Sequence, residues 1–159
     1  MSTFNKEYDG LADAIITNAI VMPAVELKEG EGFPPYFYTD SAAWDTGAQF
    51  TFISPRVVEA LGLTPYREGE IMGIGGDQTA KTYMVHIGLP DGYLIHDVEV
   101  YCSDIDDYDM LIGMDILTIG DLVITNSNNE TVLNFQIPAT HKRFNFEEDV
   151  KYKKIYDLR

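Results

Sequence analysis

The stretch Ala42-Ala43-Trp44-Asp45-Thr46-Gly47-Ala48-Gln49-Phe50-Thr51-Phe52-Ile53-Ser54 decides how this chain is read. Tyr36 to Trp44 reads as a strand, and Asp45-Thr46-Gly47 stops it. Ser54-Pro55 then opens a short helix over 56–62. Ser54 is placed to cap it, Pro55 suits the first helical position, and Gly62 is placed to end it. Asp45 therefore stands on a tight turn between a strand and a helix. An Asx-turn residue is the structural reading of such an Asp. A reactive carboxylate is the functional one.

Outward from this turn the chain reads as mainly β. Residues 1–12 are polar and read as an arm, and Ala14 to Met22 is a strand rich in Ile and Val. Gly30, Gly32, Pro34 and Pro35 mark a loop. Glu70-Ile71-Met72-Gly73-Ile74-Gly75-Gly76-Asp77-Gln78-Thr79 reads as a glycine-rich hairpin. Tyr83, Val85, Ile87 and Leu89 alternate with Met84, His86 and Gly88, the period-2 pattern of a half-buried strand. Pro90-Asp91-Gly92 turns the chain into a strand over 94–101. Leu111-Ile112-Gly113 reads as a buried strand end, Met114 to Ile119 as a short helix, and 122–125 with 132–136 as a hairpin.

Some 60–70 residues after the turn comes Asp109-Met110-Leu111-Ile112-Gly113-Met114-Asp115-Ile116-Leu117. Together with 42–63, this segment resembles the two signatures of retroviral-type aspartic proteases, the retropepsins. In that family a hydrophobic pair and a Gly cross behind the active-site loop and lead into a helix. The glycine-rich segment lies between the two, where the family carries its flap. The resemblance covers roughly residues 14–136. It implies an all-β acid protease barrel with a flap hairpin and one or two short helices. It divides the chain into an N-terminal arm (1–13), a protease domain (14–137) and a C-terminal tail (138–159).

The same resemblance makes Asp45 the catalytic residue, in a loop completed by Thr46, Gly47 and Ala48, with Met72, Gly73, Ile74, Gly75 and Gly76 as the substrate-covering flap. Metal-free peptide hydrolysis needs a water activated by a base and an acid to polarise the carbonyl. In aspartic proteases two carboxylates about 3 Å apart share one proton and supply both. Pepsin-like chains carry two Asp-Thr/Ser-Gly loops; this sequence has one. The second carboxylate is thus expected from Asp45 of another copy, making a homodimer a requirement of the chemistry. By resemblance, Thr46 bonds across the dimer and Gly47 accepts a substrate N–H. Pepsins usually carry Ser where this chain has Ala48. A Ser hydroxyl would favour the charged dyad and Ala cannot, which predicts a pH optimum nearer neutral than pepsin's. Asp115 reads as a structural partner, and Met114 stands where retroviral enzymes often place Arg. Chain ends in that family interleave in a dimer sheet; the extra ends here extend, replace or block it.

The formal net charge of −15 argues against a nucleic-acid partner, because phosphate binding needs a Lys/Arg surface. A single cysteine, Cys102, excludes an intramolecular disulfide. His86, His96 and His141 lack ligand spacing, so neither a metal nor another cofactor is expected. No signal peptide and no membrane span of roughly 20 apolar residues is read, and the expectation is a cytoplasmic protein. The function expected is an aspartic endopeptidase acting on peptide or protein substrates. The alternative is a catalytically weak module of the same fold that binds peptides or dimerises.

Overall fold

The computed structural model describes residues 2–26, 32, 34–73 and 76–140, and of Ser2, 69–73 and 76–78 the backbone alone. Among the described residues ten strands form two sheets, connected in part by two short α-helices and a 3-10 turn at Pro90–Gly92. The larger contains β2 (Ile16–Pro23), β3 (Phe37–Trp44), β4 (Phe52–Ile53), β5 (Arg67–Gly73), β6 (Gly76–Leu89), β7 (Tyr93–Cys102) and β8 (Met110–Ile112). Its order is β2-β3-β8-β4-β7-β6-β5, and β2 also pairs with β6. That extra pairing closes six strands into a barrel and leaves β5 hanging from β6 as a hairpin. The mainly β architecture expected for a retropepsin-like fold is what the chain adopts.

The barrel core follows from the alternation in the sequence. Val21, Ile53, Val85, Ile87, Val100, Met110 and Ile112 are completely buried. On β6 the inward residues are Tyr83, Val85, Ile87 and Leu89, as the period-2 pattern predicts. His86, on the same strand, is buried as well. A bulge where Asp97 adopts φ 55° brings the Asp97 N–H to His86 Nδ1 (3.1 Å), while His86 Nε2 lies 3.0 Å from the Val25 carbonyl. Both ring nitrogens thus serve the strand framework.

The helix α1 spans Pro55–Leu61 and buries Val57 against the barrel. Pro55 fits its first turn, where a missing N–H costs nothing. Gly62 ends it at φ 58°, a left-handed position that favours glycine. Ser54 has cap backbone geometry, but its side chain makes no cap hydrogen bond.

The smaller sheet has the order β1-β10-β9, with β1 Ser2–Glu7, β9 Asp121–Ser127 and β10 Glu130–Ile137. Thus the arm of residues 1–13 contributes a strand, paired in register from Ser2↔Ile137 to Glu7↔Val132. Asn128 and Asn129 join β9 to β10 at φ 54° and 63°, a turn asparagine tolerates better than most residues. Phe4 of β1 and Phe135 of β10 pack on Trp44 at ring separations of 5.7 and 4.8 Å. Each such aromatic pair adds about 0.5–1.5 kcal/mol beyond area burial. Trp44 is therefore core, and its Nε1–H donates to Thr17 Oγ1 at 2.9 Å. Residues 141–159, including the sequence-predicted remainder of the tail, lie outside the described residues.

Candidate active site

Asp45 sits where β3 ends, held by backbone bonds on both sides. The Trp44 N–H donates to the Ile15 carbonyl (2.8 Å) and the Asp45 N–H to the Ile112 carbonyl (2.9 Å). Its side chain folds back over the turn, where Oδ1 accepts the Gly47 N–H at 2.8 Å and the Ala48 N–H donates to the Asp45 carbonyl at 3.2 Å. The Asx turn is present, and the same geometry leaves the Asp45 carboxylate half-exposed at the turn. Asp45 is half-buried, and Thr46 and Gly47 are exposed. Among the described residues, no side chain bonds to the Asp45 carboxylate.

The loop is fixed from behind by the second signature. Strand β8 pairs in parallel with β3, which enters the loop, and antiparallel with β4, which leaves it. One strand thus clamps both legs. The helix α2 (Met114–Leu117) follows directly, and the Met114 N–H reaches the Ala48 carbonyl at 2.8 Å. Between them Gly113 passes so close to the loop that a Cβ there would lie 2.3 Å from the Phe50 carbonyl oxygen. Any side chain at 113 would push the two segments apart.

Asp115 completes the fastening. Its Oδ2 accepts the Thr51 N–H (2.9 Å) and its Oδ1 the Thr51 hydroxyl (2.7 Å), while Thr51 Oγ1 accepts the Gly113 N–H (3.1 Å). With Met at 114, this carboxylate and the fully buried Thr51 tie the crossing together. Hydrogen bonds to an ionised acceptor are about twice as strong as neutral ones. Asp115 is thus a structural partner, as its position in the sequence indicates.

Asp109 is the other acid of that signature, and it too is occupied. It is buried, accepts from the Thr39 hydroxyl at 2.7 Å, and pairs with Arg56 at 3.2 Å. Its backbone bonds Ser41 on one side and Ser54 on the other, linking β3 to the start of α1. Sequence reasoning missed Thr51, Thr39 and Arg56. Nothing in their local pattern marks them, since each acts through a residue 53 to 70 positions away.

The hairpin expected to cover the site is present as β5 and β6, paired from Arg67↔Thr82 to Gly73↔Gly76. Gly73 and Gly76 are its last paired residues, and Met72 lies one step back on β5. Ile74 and Gly75 lie outside the described residues. Arg67 anchors the hairpin base through two 2.6 Å bonds to Glu99 of β7. That guanidinium holds the Glu99 carboxyl below its ordinary range.

A thiol-based site fits poorly. Burial pushes the Cys102 thiol up, the reverse of what a nucleophilic cysteine needs. Among the described residues no three His, Cys, Asp or Glu side chains gather to hold a metal. None of the described helices is long and apolar enough to cross a membrane.

Comparison with known proteins agrees with this geometry. Residues 41–118, from the strand before Asp45 to the end of α2, match the family described as "gag-polyprotein putative aspartyl protease". The match supports a retropepsin-like family for the chain. Among solved structures, it is similar to an EIAV protease complexed with the inhibitor HBY-793, at 20% identity and TM-score 0.47, over 69% of this chain and 89% of that one. It is also similar to a retropepsin-like aspartic protease from Rickettsia conorii, at 14% identity and TM-score 0.49, over 84% of this chain and 94% of that one. No curated protein matches it. The retropepsin-like match spans the clamp strand, the fastened crossing and the Asp45 turn.

Proposed function

We propose that the chain is one half of an aspartic endopeptidase, with Asp45 as its catalytic residue and a second copy supplying the other carboxylate. The observation that carries this reading is the state of the three acids around the crossing. Asp109 and Asp115 are spent on structural bonds, whereas Asp45 is half-exposed with no side-chain partner among the described residues. Of the three carboxylates, that of Asp45 alone is bonded only by backbone, through the Gly47 N–H.

Two such groups meeting across a two-fold axis would share one proton, since two charges that close cannot both ionise. The ionised member takes a proton from a water as it attacks the scissile carbonyl. The protonated member donates to the carbonyl oxygen as the tetrahedral intermediate forms. By the family resemblance, Thr46, which is exposed, would bond to the partner loop, and Gly47 would offer its backbone to the substrate. An extended peptide would bind as an added strand beneath the β5–β6 hairpin, with Met72 to Gly76 as the covering flap. Its single, partly buried cysteine suits a reducing compartment, and a cytoplasmic location belongs to the same proposal.

The test is cleavage of a mixed peptide library between pH 3 and pH 8, with and without a statine-type inhibitor, beside Asp45→Asn. Cleavage abolished by both inhibitor and substitution is the expected result. Cleavage that survives Asp45→Asn refutes the role of Asp45. A dimer that cuts nothing indicates a peptide-binding or dimerisation module instead. Mixing sharpens the test. In an equal mixture of wild type and Asp45→Asn, about a quarter of dimers hold both carboxylates, so activity should fall to about half that of the wild-type chains alone. A site complete in one chain would be unaffected.

A further inference from the structure

We infer that two copies join through β9, pairing antiparallel about a two-fold axis at Ile124, so that the two three-stranded sheets become one sheet of six strands. The inference deepens the proposed function and rests on its need for a second copy. Three strands end a sheet among the described residues: β1, β5 and β9. Natural edge strands are usually protected by charges or proline against pairing with another chain. Strand β1 carries Lys6 and Glu7, and β5 carries Arg67, Glu68 and Glu70. In β9, Leu122-Val123-Ile124-Thr125-Asn126-Ser127 has neither, in a chain with 26 acidic residues. In a protein of net charge −15 a self-associating edge has to keep acids from facing one another, and the one acid of β9, Asp121, stands at the strand's first position.

The burial pattern points the same way. The cross-strand register sets Ile124 beside Leu133, in the row next to Leu122 and Phe135. Leu133 and Phe135 are buried, at 0% and 2% exposure, but Ile124 is 43% exposed. Ile124 therefore lies on the core-facing side of the sheet with the core ending before it. A second β9 alongside would extend that face and cover it.

The geometry also suits the catalytic requirement. A strand that pairs with its own copy about a two-fold axis does so antiparallel, which makes a self-complementary contact. Centring on Ile124 sets Leu122 opposite Asn126 and Asp121 opposite Ser127, so no acid faces another acid. The neighbouring strand β10 touches Trp44, the residue before Asp45, through Phe135. The contact therefore joins the sheet that supports the catalytic turn. It differs from interleaved chain ends, because β1 is already paired with β10 of its own chain.

The experiment measures the dimer constant of the full chain by sedimentation, for wild type and Ile124→Lys. The substitution should weaken dimerisation at least tenfold, and the thermal midpoint of the monomer should stay near wild type, since the site is exposed. In a Cys102→Ser background, Ile124→Cys should oxidise to a covalent dimer, because directly opposed Cα atoms lie about 4.5–5.5 Å apart. Alternate β9 amides should gain hydrogen-exchange protection only above the dimer constant. An unchanged constant in Ile124→Lys, or a dimer that Ile124→Cys fails to cross-link, overturns the inference. So does protection independent of concentration, which would mean that the chain's own residues cover β9. Loss of cleavage is not a readout here. If Asp45→Asn still cuts peptides, the catalytic reading falls while the dimer measurements judge β9 separately.

Discussion

Replacing Gly113 with Ala tests the crossing behind the Asp45 turn at its tightest point. The added Cβ would lie 2.3 Å from the Phe50 carbonyl oxygen, 2.4 Å from the Phe50 carbonyl carbon and 3.0 Å from the Thr51 nitrogen. All three are backbone atoms, so no rotamer change relieves the clash. Ordinary contact begins at 3.4 Å, and the two segments must separate by about 1 Å. Overpacking of this kind costs about 1–3 kcal/mol. Separation would also stretch the 3.1 Å bond from the Gly113 N–H to Thr51 Oγ1, which adds about 1 kcal/mol if lost. Under the proposed function the kinetic effect is larger. A displacement of about 1 Å in a catalytic group lowers rate on the order of 100-fold. Gly88→Ala is the control, since its Cβ would meet the Ile20 side chain at 3.2 Å, on the β2–β6 seam. The assays are thermal unfolding and kcat/KM on a cleaved peptide. Gly113→Ala should lose both stability and turnover, and Gly88→Ala should keep its turnover. Wild-type stability and rate in Gly113→Ala would refute the reasoning that this close approach positions Asp45.

Asp115→Asn should lower stability by about 1–3 kcal/mol, because an amide nitrogen replaces one acceptor facing the Thr51 N–H and hydroxyl; combined with Thr51→Val in a double-mutant cycle on urea unfolding, the losses should be non-additive. Glu99→Gln should lower the thermal midpoint at pH 7 but not near pH 3: the folded-state pKa is depressed by Arg67, so the stabilisation is present above the unfolded carboxyl pKa and fades as pH falls through the folded one. A midpoint difference that persists unchanged to about pH 3 counts against that pairing. Ala48→Ser should move the pH optimum for cleavage downward, read from a kcat/KM profile, since a hydroxyl beside the dyad favours its charged form. An unmoved acid limb would remove Ala48 from the account of pH dependence.

What the sequence makes legible here is local, and what it hides is pairwise. The period-2 run at Tyr83, Val85, Ile87 and Leu89 gives β6 because a strand's two faces alternate regardless of its partners. Pro55 and Gly62 bound α1 because φ restriction belongs to the residue itself. Asp45 is legible for a similar reason: a strand, a short acid and a glycine form a turn that presents a carboxylate. Thr51 shows the limit. As a letter it is one threonine between two phenylalanines, and it becomes a keystone only because Gly113 and Asp115 arrive beside it from 62 and 64 positions away. The polar arm hid β1 in the same manner, since Phe4 alone marks its buried face and the strand exists by pairing with β10 at the far end of the fold. A free carboxylate is likewise defined by its neighbours. Asp45, Asp109 and Asp115 are the same residue in the sequence, and only the side-chain partners of the last two set them apart from the first, whose carboxylate meets no side chain among the described residues.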